Sequence, residues 1–435
     1  MATTIKGRNN PKPFQQQKNK IIASLDVGTT KVSCFIAKLN HSNDIEIIGI
    51  GHHASKGLKS GAIVDLKAAE NAIGQAIQAA ENMASLHMNG QALSSIYVNA
   101  PGTCTLSHQI SVDVKISGHE ITEKDIKTAM AQAKSVEVHG KDELIHVIPA
   151  NFSIDGRHGI AEPRGMFGQN LSVDMNAVTA ISSTLRNNEM AIGKNHLDIQ
   201  GYCSAPYASG LACLVDDERE LGCTVIDMGG STTSMAVFFE GKMIYTSAIG
   251  VGGLHVTNDI ARGLTTSISD AERIKVLYGA AMTSSADDSD IIDVPTIGES
   301  FHNQSNHIPR SILTGIIQPR IEETFELVRA KLEDTGLSQV AGRRVVLTGG
   351  ASQMPGLCEL GQLILDKKIR VGQPMNIKGM AESTGGPSFS ANIGLLIYAA
   401  QHAAEQQPET HTNTMPMVIP INLIEKVSHW LKENW

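Results

Sequence analysis

One phrase occurs twice in this chain, and its repetition limits the fold more than any other feature. Ile22-Ala23-Ser24-Leu25-Asp26-Val27-Gly28-Thr29-Thr30-Lys31-Val32 carries an apolar run to an aspartate and a glycine turn, and Cys34 and Ile36 continue the alternation beyond it. This pattern predicts a β-hairpin whose tip presents backbone N–H groups and hydroxyls. Glycine lets backbone approach closely, and a row of amides makes an anion-binding nest, so such a tip suits a phosphate. The second copy, Thr224-Val225-Ile226-Asp227-Met228-Gly229-Gly230-Ser231-Thr232-Thr233, runs on into alternating Met235-Ala236-Val237-Phe238. A third glycine turn, Val345-Val346-Leu347-Thr348-Gly349-Gly350-Ala351-Ser352, leaves an apolar strand and is predicted to open a helix.

With one hairpin in each half, a chain of 435 residues is too long for one ordinary core and predicts two large lobes. The net charge of −8 argues against broad binding to nucleic acid. Cys34, Cys104, Cys203, Cys213, Cys223 and Cys358 are scattered without a C-x-x-C pair, which predicts reduced core thiols in a cytosolic protein.

Residues 1–20 are polar, hold no acidic residue and lack an apolar signal region, so they read as a disordered tail. Asp65 is placed to cap a helix from about Leu66 to Ala84, with Ala69, Ile73, Ala76, Ile77 and Ala80 on one face. Beyond a strand at 94–99, residues 108–116 alternate like a strand, 121–134 read as a helix, and 144–149 and 151–154 as further strands. At the far end, residues 402–416 are polar and contain Pro408 and Pro416, as a flexible linker does. Ile421, Leu423, Ile424, Val427, Trp430, Leu431 and Trp435 then form one stripe of an amphipathic helix. Being shorter than the ~20 residues of a membrane span and carrying charges, it is read as an in-plane lipid anchor with interfacial tryptophans. The alternative is a terminal helix packed on the protein's own core.

In order and spacing, the three glycine turns resemble the actin/Hsp70/sugar-kinase ATPase superfamily. The resemblance implies an α/β fold of two lobes, each a duplicated RNase H-like mixed sheet flanked by helices, around an ATP cleft. Several phrases are similar to the FtsA family of bacterial cell-division proteins: Glu120-Ile121-Thr122-Glu123-Lys124-Asp125-Ile126, His146-Val147-Ile148-Pro149, Asp217-Glu218-Arg219-Glu220-Leu221-Gly222 and Ile316-Ile317-Gln318-Pro319-Arg320. That family inserts a subdomain called 1C where actin has another. The implied organisation is a tail to residue 20, subdomain 1A at 21–94 and 179–221, and 1C at 95–178. Subdomain 2A then takes 222–258 and 336–401, 2B takes 259–335, the linker 402–416 and the membrane-targeting helix 417–435.

The resemblance also assigns roles. Asp26 and Asp227 would face one another and hold Mg²⁺ largely through water, consistent with the few carboxylates magnesium needs. Gly28, Thr29, Thr30 and Lys31, with Gly229, Gly230, Ser231 and Thr232, would clamp the phosphates of ATP. Gly349 and Gly350 would lie against the adenosine, and Glu272 and Lys275, one helical turn apart, would reach ribose and adenine. Ala205 stands where Hsp70 relatives carry a water-positioning acid, so turnover is expected to be slow or absent.

By the same resemblance the partners are the C-terminal peptide of tubulin-like FtsZ, further copies in a filament, later division proteins at 1C, and lipid on the cytoplasmic side of the inner membrane at the septum. Arg310, Arg320 and Glu323 match positions the family uses for the FtsZ tail or for self-association, with Gln318 replacing an acidic residue. Two other readings remain: a pilus-assembly ATP-binding scaffold of the PilM kind, which lacks the tethered tail, and a small-molecule kinase, for which no catalytic aspartate is found. The histidines have no metal-ligand spacing, and Gly250-Val251-Gly252-Gly253 reads as a turn near the phosphates rather than a dinucleotide fingerprint.

Overall fold

A computed structural model describes residues 20–40, 44–135, 142–285, 287–297, 305–337, 340–375 and 377–405. The N-terminal segment 1–19 and residues 406–435, with the expected lipid-anchoring helix, lie outside the described residues. The helix Ser390–Glu405 runs past the predicted start of the linker at 402.

Two five-stranded sheets repeat one topology. In the first, the strands run in the order Asp198–Ser204, Ser95–Ala100, Lys20–Val27, Lys31–Leu39, Ile45–Ala54. In the second, the order is Lys368–Val371, Arg344–Thr348, Cys223–Met228, Thr233–Phe239, Lys242–Ile249. Each is an antiparallel three-strand meander extended by two strands parallel to its first. The central strands are apolar almost throughout because helices cover them. Leu25, Val32, Cys34, Ile36, Ile73, Ala76, Ile96 and Val98 form one core, and Ile226, Met235, Val237, Phe325, Val345 and Leu347 another.

The helix Leu66–Ala84 forms with the predicted bounds, and the Asp65 carboxylate accepts from Ala68 N at 3.0 Å. Its buried alanines 69, 72, 76 and 80 keep it low on the first sheet.

The inserted module is a four-stranded antiparallel sheet ordered Thr105–Lys115, Asn170–Ile181, Asp142–Ile154, Arg157–Ile160, with the helix Glu123–Ser135 against it. It has its own core, centred on Ile116, Ile121, Ala129, Leu171, Val173 and Met175. Three readings change. The strand Ser95–Ala100, assigned from sequence to the start of the module, pairs parallel with Lys20–Val27 and belongs to the first lobe. The segments at 144–149 and 151–154 are one strand, because Ala150 is the extra residue of a bulge between Pro149 and Asn151. The third glycine turn opens only a short 3₁₀ turn, Gly350–Gln353, and the helix waits until Leu357–Leu365, beyond Pro355.

The module touches both lobes. Gln109 Nε2 donates to Ile244 O at 2.8 Å and Asn176 Nδ2 to Met243 O at 3.2 Å, along the edge strand of the second sheet. On the first lobe's side, Ser204 N donates to His146 Nε2 at 3.0 Å. An otherwise unpaired strand edge is thereby covered.

Candidate functional site

The two repeated phrases fold alike to the level of single hydrogen bonds. Asp26 stands opposite Ser33 and Asp227 opposite Ser234, each one residue before the strand ends. Gly28 N donates to Lys31 O at 3.0 Å, and Gly229 N donates to Thr232 O at 2.9 Å. Asn99 Oδ1 accepts from Val27 N at 2.8 Å and secures the first hairpin's base. The tips meet: Thr29 Oγ1 lies 2.7 Å from Ser231 Oγ.

Between the hairpins lies a cavity of about 510 Å³. Asp26, Gly28, Thr29, Thr30, Lys31, Asp227, Gly229, Gly230, Thr232, Glu272, Lys275, Gly349 and Gly350 all line it, so the fold brings together these residues singled out in the sequence. Gly252 and Gly253 line it too. Gly253 N and Leu254 N, at the start of the helix Gly253–Gly263, donate to Gly229 O and Gly230 O of the second hairpin. Ser231 is the exception: it is buried, with its hydroxyl turned to Thr29. Lys275 is drawn inward from the helix Ile268–Tyr278, its Nζ 2.7 Å from Glu272 Oε2 and 2.9 Å from Thr257 Oγ1. The bond to Thr257 goes beyond a surface i,i+3 pair, and only 13% of the lysine side chain is exposed, although 45% of the Glu272 side chain is.

Charge is concentrated and poorly hydrated. Burial pushes Asp26 up to about 6, eased by Lys31 and reinforced by Asp227. Asp227 is also raised by burial, against the hydrogen bond from Ser209 and the charge of Lys31. Burial lowers Lys31 to about 8, opposed by both carboxylates. An acid raised on folding binds an extra proton, so the ligand-free protein should lose stability as pH climbs from about 4 to 6. An amine lowered on folding gives one up, so stability should return between about 8 and 10.5. Each limb is on the order of 2 kcal/mol, less than the full shifts because the cavity admits water. Ligand-free melting temperature against pH should dip between 6 and 8 for the wild type, and the acid limb should flatten in Asp26→Asn; an unchanged limb would remove Asp26 as its cause.

Sequence reasoning missed Ser209, although Ala205, one turn earlier on the helix Ala205–Cys213, was singled out. Ser209 Oγ donates to Asp227 Oδ2 at 2.5 Å, so a helix of the first lobe orients the acid of the second. Ala205 lines the cavity and offers it only a methyl group.

The residues expected to meet the FtsZ tail or to control self-association lie on the helix Arg310–Asp334, whose Ile321 and Thr324 line the cavity although Arg310, Arg320 and Glu323 do not. Arg310 Nε donates to Tyr278 O at 2.8 Å, and its Nη1 lies 3.6 Å from buried Asp287. Arg320 grips Asp259 through Nε at 2.6 Å and Nη2 at 3.1 Å, and also meets Glu323. These arginines brace their own subdomain. The anchor residues Ile421, Leu423, Ile424, Val427, Trp430, Leu431 and Trp435 fall outside the described residues. No described helix is long and apolar enough to cross a membrane.

The family model for Cell division protein FtsA matches residues 224–394, and that for the SHS2 domain inserted in FtsA matches 102–179. The chain is 41% identical over 437 residues to the cell division protein FtsA of Rhizobium meliloti (strain 1021), covering 98% of this chain and 97% of that protein. Among solved structures, the PilM-PilN type IV pilus biogenesis complex aligns with TM-score 0.59 at 16% identity, over 87% of this chain and 98% of that one. MreB5 of Spiroplasma citri bound to ADP aligns with TM-score 0.52 at 13% identity, over 90% of this chain and 100% of that one. At these identities both show a shared actin-like fold.

Proposed function

The chain belongs to the cell division protein FtsA family, and from that premise we propose that it is a nucleotide-binding scaffold attaching the division filament to the membrane. The observation that carries the nucleotide part is the convergence of two aspartate hairpins and a lysine on one cavity. The likeness in fold to an ADP-bound relative supports it. Asp26 and Asp227, with Lys31, leave an excess of one negative charge when ionised, and a divalent cation accompanied by phosphate suits such a donor set. Mg²⁺ would supply charge neutralisation between the carboxylates and the phosphates of ATP. The chain's own residues would do the rest: hairpin amides on phosphate, Glu272 and Lys275 toward ribose and adenine, Gly349 and Gly350 against the adenosine. Isothermal titration with ATP and Mg²⁺ tests this reading. An Asp26→Asn and Asp227→Asn double variant that binds as tightly as the wild type would refute it.

Ala205 cannot orient an attacking water as an acid at its place would, so ATP turnover is expected to be slow, on the order of one per minute or less. A purified sample turning over several ATP per second would overturn this expectation.

The membrane part rests on the sequence of residues 417–435, including both tryptophans. One such helix binds lipid reversibly, and assembly into filaments on the inner face of the cytoplasmic membrane would make attachment firm through effective concentration. Removing residues 417–435 is expected to cut co-sedimentation with anionic vesicles more than tenfold while ATP affinity stays within twofold. Equal co-sedimentation would transfer the anchor elsewhere. FtsZ's C-terminal peptide is proposed to bind near Arg310, Arg320 and Glu323, and later division proteins to bind the inserted module. Because Arg320 already holds Asp259, peptide binding there would have to compete with an ion pair, which predicts weak, salt-sensitive affinity.

A further inference from the structure

Lys31 is the one cavity-lining residue of the first hairpin that carries a positive charge, and the structure gives that charge a specific seat. Its Nζ lies 3.1 Å from the centroid of the Phe389 ring. Phe389 ends the short 3₁₀ turn Pro387–Phe389, immediately before the helix Ser390–Glu405. Pro387 and Ser388 of that turn line the cavity, whereas Phe389 is buried and does not. The ring therefore backs the ammonium, leaving Lys31 to face the cavity.

The ring is fixed from other sides. Phe35, on the first hairpin's second strand with Lys31, packs against it at 5.7 Å between centroids, and His52, on the next strand of the sheet, meets it edge-on at 6.0 Å. The turn is also held to the second lobe, since Gly349 N donates to Pro387 O at 3.2 Å. A first-lobe lysine thus rests on a platform clasped by the second lobe's glycine turn.

We propose that Phe389 is a positioning residue for nucleotide binding: its ring face holds the Lys31 ammonium toward the phosphate region of the cleft. A buried ammonium loses hydration, and the negative face of an aromatic ring returns part of that stabilisation in a fixed direction. The groups that face Lys31 electrostatically are Asp26 and Asp227, and His52 stands behind the ring. Burial draws Lys31 toward its neutral form and the two carboxylates oppose this; a ring face against the ammonium also favours the charged form. The role rests on the nucleotide reading given above.

A double-mutant cycle tests it, using full-length wild type, Phe389→Leu, Lys31→Met and the double variant, titrated with Mg·ATP and with adenosine. Phe389→Leu is expected to weaken Mg·ATP about tenfold in the wild-type background and less than twofold in the Lys31→Met background. Adenosine affinity should stay within twofold throughout. In the ligand-free proteins the melting temperatures should also be non-additive, because the contact exists before nucleotide arrives. If Phe389→Leu does not fold, Phe389→Met, nearer in volume, takes its place in the cycle. Equal losses in both backgrounds, or an equal loss for adenosine, would mean Phe389 only packs against Phe35 and would overturn the proposal. Failure of the wild type to bind Mg·ATP overturns the nucleotide reading and this role with it; binding without coupling overturns the role alone.

Discussion

Gly349→Ala is expected to weaken Mg·ATP binding at least about a hundredfold, the largest effect of any single methyl group in the cleft. Gly349 has φ +87°, a conformation that costs an L-residue on the order of 1 kcal/mol or more. Space is the harder obstacle. A Cβ there would lie 2.4 Å from Asp227 Oδ1 and 2.5 Å from Met228 O. Met228 is in the ladder of the central strand, so its carbonyl resists moving; the glycine turn must shift away from it and the Asp227 carboxylate must swing aside as well. Moving it breaks the bond from Ser209 and takes one of two acids away from the site proposed for the metal. Backbone strain and a displaced carboxylate together exceed the ~2.7 kcal/mol that a hundredfold represents. Titration calorimetry reads the affinity, and circular dichroism confirms that the variant is folded. Binding within threefold of the wild type would mean that Asp227 does not engage the ligand.

Gly394→Ala should be the most damaging small substitution for the fold itself. Gly394 lies on the helix Ser390–Glu405, and a Cβ there would fall 1.7 Å from Ala208 O and 2.2 Å from the same carbonyl carbon. Alanine ordinarily gains about 1 kcal/mol over glycine inside a helix. That gain is small beside the separation of two helix backbones already in contact. Neither helix is free to slide. Two residues earlier, Asn392 Nδ2 donates to Ser33 O at 2.7 Å, while Asn392 Oδ1 accepts from Ser24, which ties that helix to the first sheet. On the opposing helix, Ser209 follows Ala208 and holds Asp227. Destabilisation of about 3 kcal/mol or more is expected, with a fall in melting temperature of several degrees and weaker Mg·ATP binding by the same displacement. Loss of soluble protein would have the same meaning. A melting temperature within one degree of the wild type would show that the helices part without cost.

Both variants act where the chain meets itself across long sequence separations, and there reading the sequence was weakest. Ser209 was visible as a serine on a short helix, yet nothing in its neighbourhood marks Asp227 as its partner. Arg320 looked equally suited to a partner protein and to solvent until Asp259, 61 positions away, was found between its nitrogens. Ser95–Ala100 reads as a strand from sequence, but its sheet is decided by parallel pairing with a strand far upstream.

What the residues determined alone is local and repetitive. The aspartate-glycine hairpins at 26–31 and 227–232, the Asp65-capped helix and the module's alternating strands follow from turn chemistry and periodicity, which act over a few residues. The resemblance to the actin-like superfamily followed from that repetition, and further phrases such as Glu120–Ile126 and Asp217–Gly222 carried the resemblance to the FtsA family. Tertiary structure decided how the charges are seated: Ser209 on Asp227, Phe389 beneath Lys31, Gly394 against Ala208, and the module's glutamine and asparagine on the second lobe's edge. The physical reason is that close packing and desolvation depend on which atoms fill the adjacent space, and a sequence states neighbours along the chain only.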